Sequence, residues 1–331
     1  MKQWLMVIGL TQLFSISALG QDLASQNKKM FQKLKTTHNL TDQQLKNIQK
    51  VFSKGPHISQ GNPKVSEHPM TEAQCQAKLK KQGIDHYNPT FEKICGGKYM
   101  APLYNPKTQR PEDSKVCIDQ FEFPGSPCSY PVTWVRANEA AQICEAMGKR
   151  LCDAHEWEGA CEGQLLPPDY PFEKVAGLPA GAAHKTMRNL HNRKYKRQWA
   201  YGPKFKKGIC AQDSFKHKNC NGGNYKACGT NTYPAGAFPG CSNQLKVYDI
   251  HGNAAEHMNL PLKPDQMASH PSGKLGHTEM KGSWFIWDKF QAHQDWCRWR
   301  APYWHGTTVR HKKSHHNYHL GFRCCLDTKK K

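Results

Sequence analysis

The feature that most constrains this chain is its set of 14 cysteines: Cys75, Cys95, Cys117, Cys128, Cys144, Cys152, Cys161, Cys210, Cys220, Cys228, Cys241, Cys297, Cys324 and Cys325. They come after an apolar leader that runs from Trp4 to about Gly20 behind a lone Lys2 and ends in Ala18-Leu19-Gly20, a small-x-small pattern before Gln21. The leader reads as a secretory signal peptide over residues 1–20, with an uncleaved anchor as the alternative, and is set aside from the fold. An even number of cysteines behind such a leader reads as disulfides made in an oxidising compartment, secreted or periplasmic. Zinc is the weaker reading, because Cys324 and Cys325 are adjacent and no Cys-x-x-Cys supplies metal spacing. The mature chain has no second apolar stretch long enough to span a bilayer.

The texture of the sequence divides the mature chain in two. Residues 21–92 are rich in Lys and Gln and carry two helix signatures. Thr41 with Gln44 predicts a capping box ahead of the apolar stripe Leu45, Ile48, Val51 and Phe52, stopped by Gly55-Pro56. Thr71 with Gln74 predicts another, stopped at Gly83, and the Gly, Pro, Ser and Asn of 55–70 read as a linker between them. Too few apolar residues are present for a separate core, so this part is a helical extension packed on, or tethered to, the rest of the chain. From about residue 93 to 327, Gly, Pro, Trp and Cys rise and periodic segments shorten. Helices are predicted over Ala137–Met147, ended by Gly148, and from an Asp153/Glu156 capping box to about Cys161. The remainder reads as short strands in long loops, without the strand–helix alternation of a parallel sheet. Disulfides are what would hold such loops.

Charge is unevenly spread. The chain has 47 Lys and Arg against 26 Asp and Glu, and 12 of those basic residues fall in 184–226 with a single acidic one, Asp213. Tyr195, Trp199, Tyr201, Phe205, Phe215 and Tyr225 are interleaved with them. Basic residues with aromatics suit phosphate contacts and base stacking. Nucleic acid is nevertheless an improbable partner for an exported protein, and anionic envelope polymers (lipopolysaccharide, teichoic acid, acidic glycans) fit better. A solvated loop kept soluble by its charge is the plain alternative. His311, His315, His316 and His319, with His305 nearby, offer imidazoles for a transition metal, or else exposed histidines. Asn39-Leu40-Thr41 forms a glycosylation sequon in a eukaryotic setting.

Four stretches carry a more specific signal. They are Pro131-Val132-Thr133-Trp134 with Gly148-Lys149-Arg150-Leu151 and Glu156-Trp157-Glu158; Val247-Tyr248-Asp249-Ile250-His251-Gly252-Asn253-Ala254-Ala255-Glu256; Gly282-Ser283-Trp284; and Gly321-Phe322-Arg323-Cys324. In this order they resemble the sulfatase-modifying factor family, that of the formylglycine-generating enzyme, over about residues 95–327. The resemblance implies an α+β domain related to the C-type lectin fold, with little regular secondary structure and bound calcium. It also implies copper-dependent oxidation of a substrate cysteine. For that chemistry Cu(I) needs thiolates, but Ile286 or Trp287 stands where the family has its first copper cysteine, and Cys297 is offset by one residue from the second. Ala255 replaces a tryptophan of the family motif.

By resemblance, Ca²⁺ would be held by Asp249 and Glu256 carboxylates and by Gly252 and Ala254 carbonyls, the hard oxygen donors this ion prefers; a solvated Gly-Asn turn is the other reading. The resemblance also implies a Cys144–Cys324 disulfide and, with Cys297 near the usual partner position, Cys161–Cys297. Two functions are compatible with these features. In the first, the protein is an oxidoreductase using copper or iron to modify a protein or peptide, with Ser283, Trp284, Cys297, Arg298, Arg300 and Arg323 lining a cleft whose arginines favour an anionic substrate. In the second it is a non-catalytic, lectin-like binding module. A thiol count and a metal analysis distinguish them.

Overall fold

The structure, a computed structural model, describes residues 22–55, 57–303 and 306–328. The leader over 1–20 and His305 lie outside the described residues. Four helices come first: α1 Leu23–His38, α2 Asp42–Lys54, α3 Glu72–Lys81 and α4 Pro89–Cys95. The capping boxes at α2 and α3 are formed as predicted. Gln44 N–H donates to Thr41 Oγ1 at 3.2 Å while Gln44 Oε1 accepts from Thr41 N–H at 3.0 Å, and Thr71 and Gln74 repeat the exchange at 3.1 and 2.8 Å. The segment 55–70 is no loose linker. Ser59 and Thr133 pair backbone to backbone, and Glu67 N–H donates to Asn231 Oδ1 at 2.8 Å. Backbone groups that find partners in the domain strap this segment down.

The domain proper contains β1 Met100–Leu103, β2 Val116–Asp119, α5 Ala137–Ala146, β3 Arg150–Leu151, α6 Ala154–Glu162, α7 Phe172–Val175, α8 Ala180–Lys194, β4 Ala255–Leu260, β5 His277–Lys281, β6 Leu320–Phe322 and β7 Cys324–Asp327. One antiparallel sheet has the order β1-β2-β7-β3; the other has β5-β4-β6, with β4 antiparallel to β5 and parallel to β6. This is the mixed α+β architecture, poor in regular structure, that the sequence predicted. α6 departs from its predicted cap. Glu156 accepts from Asp153 N–H at 2.8 Å, but the Asp153 carboxylate turns away to Asn259 Nδ2 at 2.5 Å and to Ala268 N–H at 3.0 Å. Tertiary donors outcompete the local one.

Both parts share a core. Met30, Leu34, Ile48, Val51 and Phe52 of the first two helices are buried with Ile143, Met147, Phe322 and Val309. A second cluster gathers Ile118, Trp157, Met187, Val247, Met258 and Leu260 between the two sheets and α6. Seven disulfides join all 14 cysteines: 75–128, 95–117, 144–324, 152–325, 161–297, 210–241 and 220–228. The adjacent Cys324 and Cys325 point to opposite faces of β7, so one staples α5 and the other the start of α6. Among the described residues no helix is long and apolar enough to cross a membrane.

Candidate functional site

The motif loop between Asp249 and Glu256 runs through three left-handed positions, Asp249 (φ 54°), Gly252 (φ 84°) and Asn253 (φ 56°). Its turn lets Gly252 N–H reach Ser283 Oγ at 2.9 Å, and a Cβ at Gly252 would stand 2.5 Å from the Ala211 carbonyl. Ser283 Oγ also accepts from Gln212 Nε2 at 2.9 Å, and the same amide donates to Asp295 Oδ2 at 2.7 Å. Asp295 Oδ1 lies 3.2 Å from His251 Nδ1, and His251 Nε2 lies 3.3 Å from Cys161 Sγ and 3.9 Å from Cys297 Sγ. A buried polar chain therefore connects two of the predicted residues, Ser283 and Cys297. Gln212, His251 and Asp295, the links between them, were not singled out in the sequence. His251 lies inside a quoted motif and Asp295 two residues before Cys297, but nothing in their spacing shows that the fold joins them.

The arginines of the predicted cleft face inward. Arg323 sits between β6 and β7, where the chain passes from one sheet to the other. Its guanidinium takes both oxygens of Glu256 at 2.6 and 2.7 Å and the carbonyls of Asp119, Gln120 and Tyr248. Arg300 pairs with Glu158 at 3.1 Å and Asp169 at 3.2 Å, and Arg298 with Glu162 at 2.7 Å. All three are essentially unexposed. Trp284 is buried against Tyr318 and His319. All six residues are buried, and the three arginines are paired with carboxylates inside the fold.

Glu158 is the hub of this buried network. Lys281 Nζ stands 2.6 Å away and His191 3.3 Å. Burial alone would raise the Glu158 carboxyl, but the Arg300 guanidinium, with His191 and Lys281, holds it well below the usual range. Around the predicted calcium loop the balance reverses. Burial, with Asp249 and Glu256 nearby, pushes Glu122 well above its ordinary value, and burial pushes Asp249 up to about 6. Asp249 Oδ2 accepts from Gly236 N–H at 2.6 Å while Oδ1 has no hydrogen-bond partner.

The fit to calcium is poor. Glu256 is closed by Arg323 and by Trp157 Nε1 at 3.1 Å, so of the two expected carboxylates only Asp249 keeps an open oxygen. Three groups among the described residues each bring three candidate ligand atoms within 4.8 Å of one another: Cys161/His251/Cys297, Cys152/Glu156/Cys325 and Glu158/Asp169/His191. The first two contain bonded cysteines, and the third is already neutralised by Arg300 and Lys281. The His311–His319 segment contributes to none of them; His316 contacts the Trp134 carbonyl at 3.2 Å and Arg136 at 3.2 Å.

The basic stretch sorts by residue type. α8 supplies its beginning, and Lys185, Arg193, Lys196, Arg197, Lys204, Lys206, Lys207, Lys216, Lys218 and Lys226 are exposed. Most of its aromatics are half-buried: Tyr195 lies under Arg298, Trp199 against Phe205, and Phe205 and Tyr225 pack on the cluster around Trp134. Phe215 alone is exposed, at 39%.

These features define a disulfide-stapled α+β domain built around a Gly-Asn turn, a Gly-Ser-Trp loop and a buried arginine clamp. Residues 64–328 match the sulfatase-modifying factor enzyme 1-like domain, and the chain belongs to that family. The match takes in α3 and α4, which the 75–128 and 95–117 disulfides tie to the rest of the chain. Two solved structures are similar to it. PvdO from Pseudomonas aeruginosa shows 16% identity over 82% of this chain and 79% of its own, with a TM-score of 0.30. CarF shows 17% identity over 82% and 86%, with a TM-score of 0.30. No curated protein matches the chain in sequence.

Proposed function

We propose that this chain is an exported, non-catalytic binding member of the sulfatase-modifying factor family, which presents the exposed basic stretch of 184–226 to anionic polymers of the envelope or extracellular space. One observation carries the reading: every cysteine is in a disulfide, so no thiolate remains for copper in the oxidised protein. The inward arginines, already paired with carboxylates, support it, since they leave no cationic cleft for a peptide substrate. The half-buried aromatics, already packed on neighbouring side chains, favour a charge-reading surface over base stacking, and so a polymer of sulfate, phosphate or carboxylate groups over nucleic acid.

The test is binding of the mature protein to dextran sulfate, with neutral dextran as control. Retention on the sulfated polymer alone, falling steeply with added salt and reduced by the triple variant Lys204→Glu, Lys206→Glu, Lys207→Glu, is the expected result. Equal behaviour on both polymers, or an unaffected variant, overturns the proposal. The oxidoreductase reading draws its support from family membership. It requires copper or iron at one ion per chain, and finding that in the purified protein would overturn the binding reading.

A further inference from the structure

The buried group of Cys161, Cys297 and His251 has the composition of a metal centre held shut by a covalent bond. The two sulfurs and the His251 Nε2 all lie within 4.8 Å of one another. The imidazole is already oriented. Asp295 faces Nδ1 at 3.2 Å, and Gln212 holds the other Asp295 oxygen at 2.7 Å. With Nδ1–H given to the carboxylate, the Nε2 lone pair accepts the Ala200 N–H at 3.0 Å, and the same nitrogen lies 3.3 Å from Cys161 Sγ and 3.9 Å from Cys297 Sγ. A carboxylate behind a histidine, fixing the tautomer and raising its basicity, is the arrangement found behind metal-bound imidazoles. The cover over the site comes from the start of the basic stretch: Gln198 accepts from Cys297 N–H at 2.8 Å, and Trp199 and Gly202 pair in a tight turn.

We propose that reduction of the Cys161–Cys297 disulfide converts this group into a two-thiolate, one-imidazole site for a thiophilic d¹⁰ cation such as Zn²⁺, with Asp295 and Gln212 as its outer support. The chemistry balances with a dithiol reductant. The reductant supplies two electrons and two protons and closes to its own disulfide; the S–S bond breaks and two S–H groups form. The cation then displaces both thiol protons to solvent and takes the Nε2 lone pair in place of the Ala200 N–H. Two soft thiolates and an imidazole suit such ions. Polymer binding by the exposed basic stretch does not depend on this site.

The experiment uses the full mature protein under graded dithiothreitol, with alkylation and peptide mass spectrometry to show which bridge has opened and near-ultraviolet circular dichroism to show that the fold is kept. Cd²⁺ is the probe, read by its thiolate charge-transfer absorbance. The expected result is that opening of Cys161–Cys297 in the folded protein coincides with uptake of one Cd²⁺, and that Asp295→Asn weakens this binding by about 10–100-fold. His251→Ala should weaken it further, and Asp295→Asn keeps the test decisive if His251→Ala does not fold. The proposal is overturned if the bridge opens only as the fold is lost, if the opened protein takes up no Cd²⁺, or if Asp295→Asn binds it as tightly as the wild type.

Discussion

Replacing Glu158 by Gln keeps the volume of the side chain and removes one charge from the centre of the molecule. Lys281 at 2.6 Å, Arg300 at 3.1 Å and Arg298 at 3.6 Å all converge on this carboxylate, with His191 at 3.3 Å. Glu162 and Asp169 each pair with one arginine, and Asp169 also with His191, so Glu158 is the direct carboxylate partner of Lys281. The substitution leaves one uncompensated positive charge where side chains are 0–2% exposed. Breaking a buried pair from one side costs about 3–5 kcal/mol. At about 2 °C per kcal/mol, the low end for a chain of this size, that is a loss of about 6–10 °C in Tm. The assay is urea unfolding at pH 7 with the disulfides intact, followed by tryptophan fluorescence. Because the folded pKa of Glu158 is depressed, its contribution is present above the unfolded carboxyl range and is lost as pH falls through the folded value. The wild-type advantage should therefore persist from pH 7 to about 4 and shrink below that. Adding Lys281→Met to Glu158→Gln should recover part of the loss, since it removes the stranded ammonium. A cost under about 1 kcal/mol, or strictly additive effects of the two substitutions, would refute the reasoning.

Other outcomes rest on the same geometry. Thiol titration of the denatured, unreduced mature protein should find no reactive thiol; one or more per chain contradicts the seven disulfides. Asp249 carries a folded pKa of about 6 against an ordinary 3.8, so its contribution is favourable below 3.8 and lost as pH rises through 6. Asp249→Asn, which keeps an acceptor for Gly236 N–H and tolerates the positive φ, should raise stability at pH 8 by roughly 1–3 kcal/mol and have little effect at pH 3; denaturant titrations at both pH values decide it. Gly252→Ala must seat a Cβ 2.5 Å from the Ala211 carbonyl at φ 84°, so a Tm loss corresponding to about 1–3 kcal/mol is expected, and an unchanged Tm in calorimetry would contradict the close approach.

Much of the fold was legible because its signals are local. The Thr41/Gln44 and Thr71/Gln74 boxes cap helices from residues three apart, and the four ordered motifs carry the family and the α+β class. α8 was missed because it opens on Pro179 without a side-chain cap and has no acidic residue in its first turn. α4 had a readable start in Asn88-Pro89, whose side chain accepts from Thr90 and Phe91 N–H, but its seven residues show too little periodicity to stand out.

The roles of the site residues needed the tertiary structure. Arg298, Arg300 and Arg323 read in sequence as an anion-binding set, because a sequence shows charges but not their partners. Glu158, Glu162 and Glu256, which neutralise them, lie 142, 136 and 67 residues away along the chain and are brought near only by folding. Asp295, His251 and Gln212 likewise join Ser283 to Cys297 through contacts that span 44 to 83 residues. The sequence by itself determined that this is a cross-linked α+β chain with a locally concentrated positive charge, because cysteine parity, caps and composition act over short range. Which carboxylate each arginine meets, and which sulfur each histidine faces, was decided by the packing of β4, β7 and α6, because an ion pair is set by distance in space.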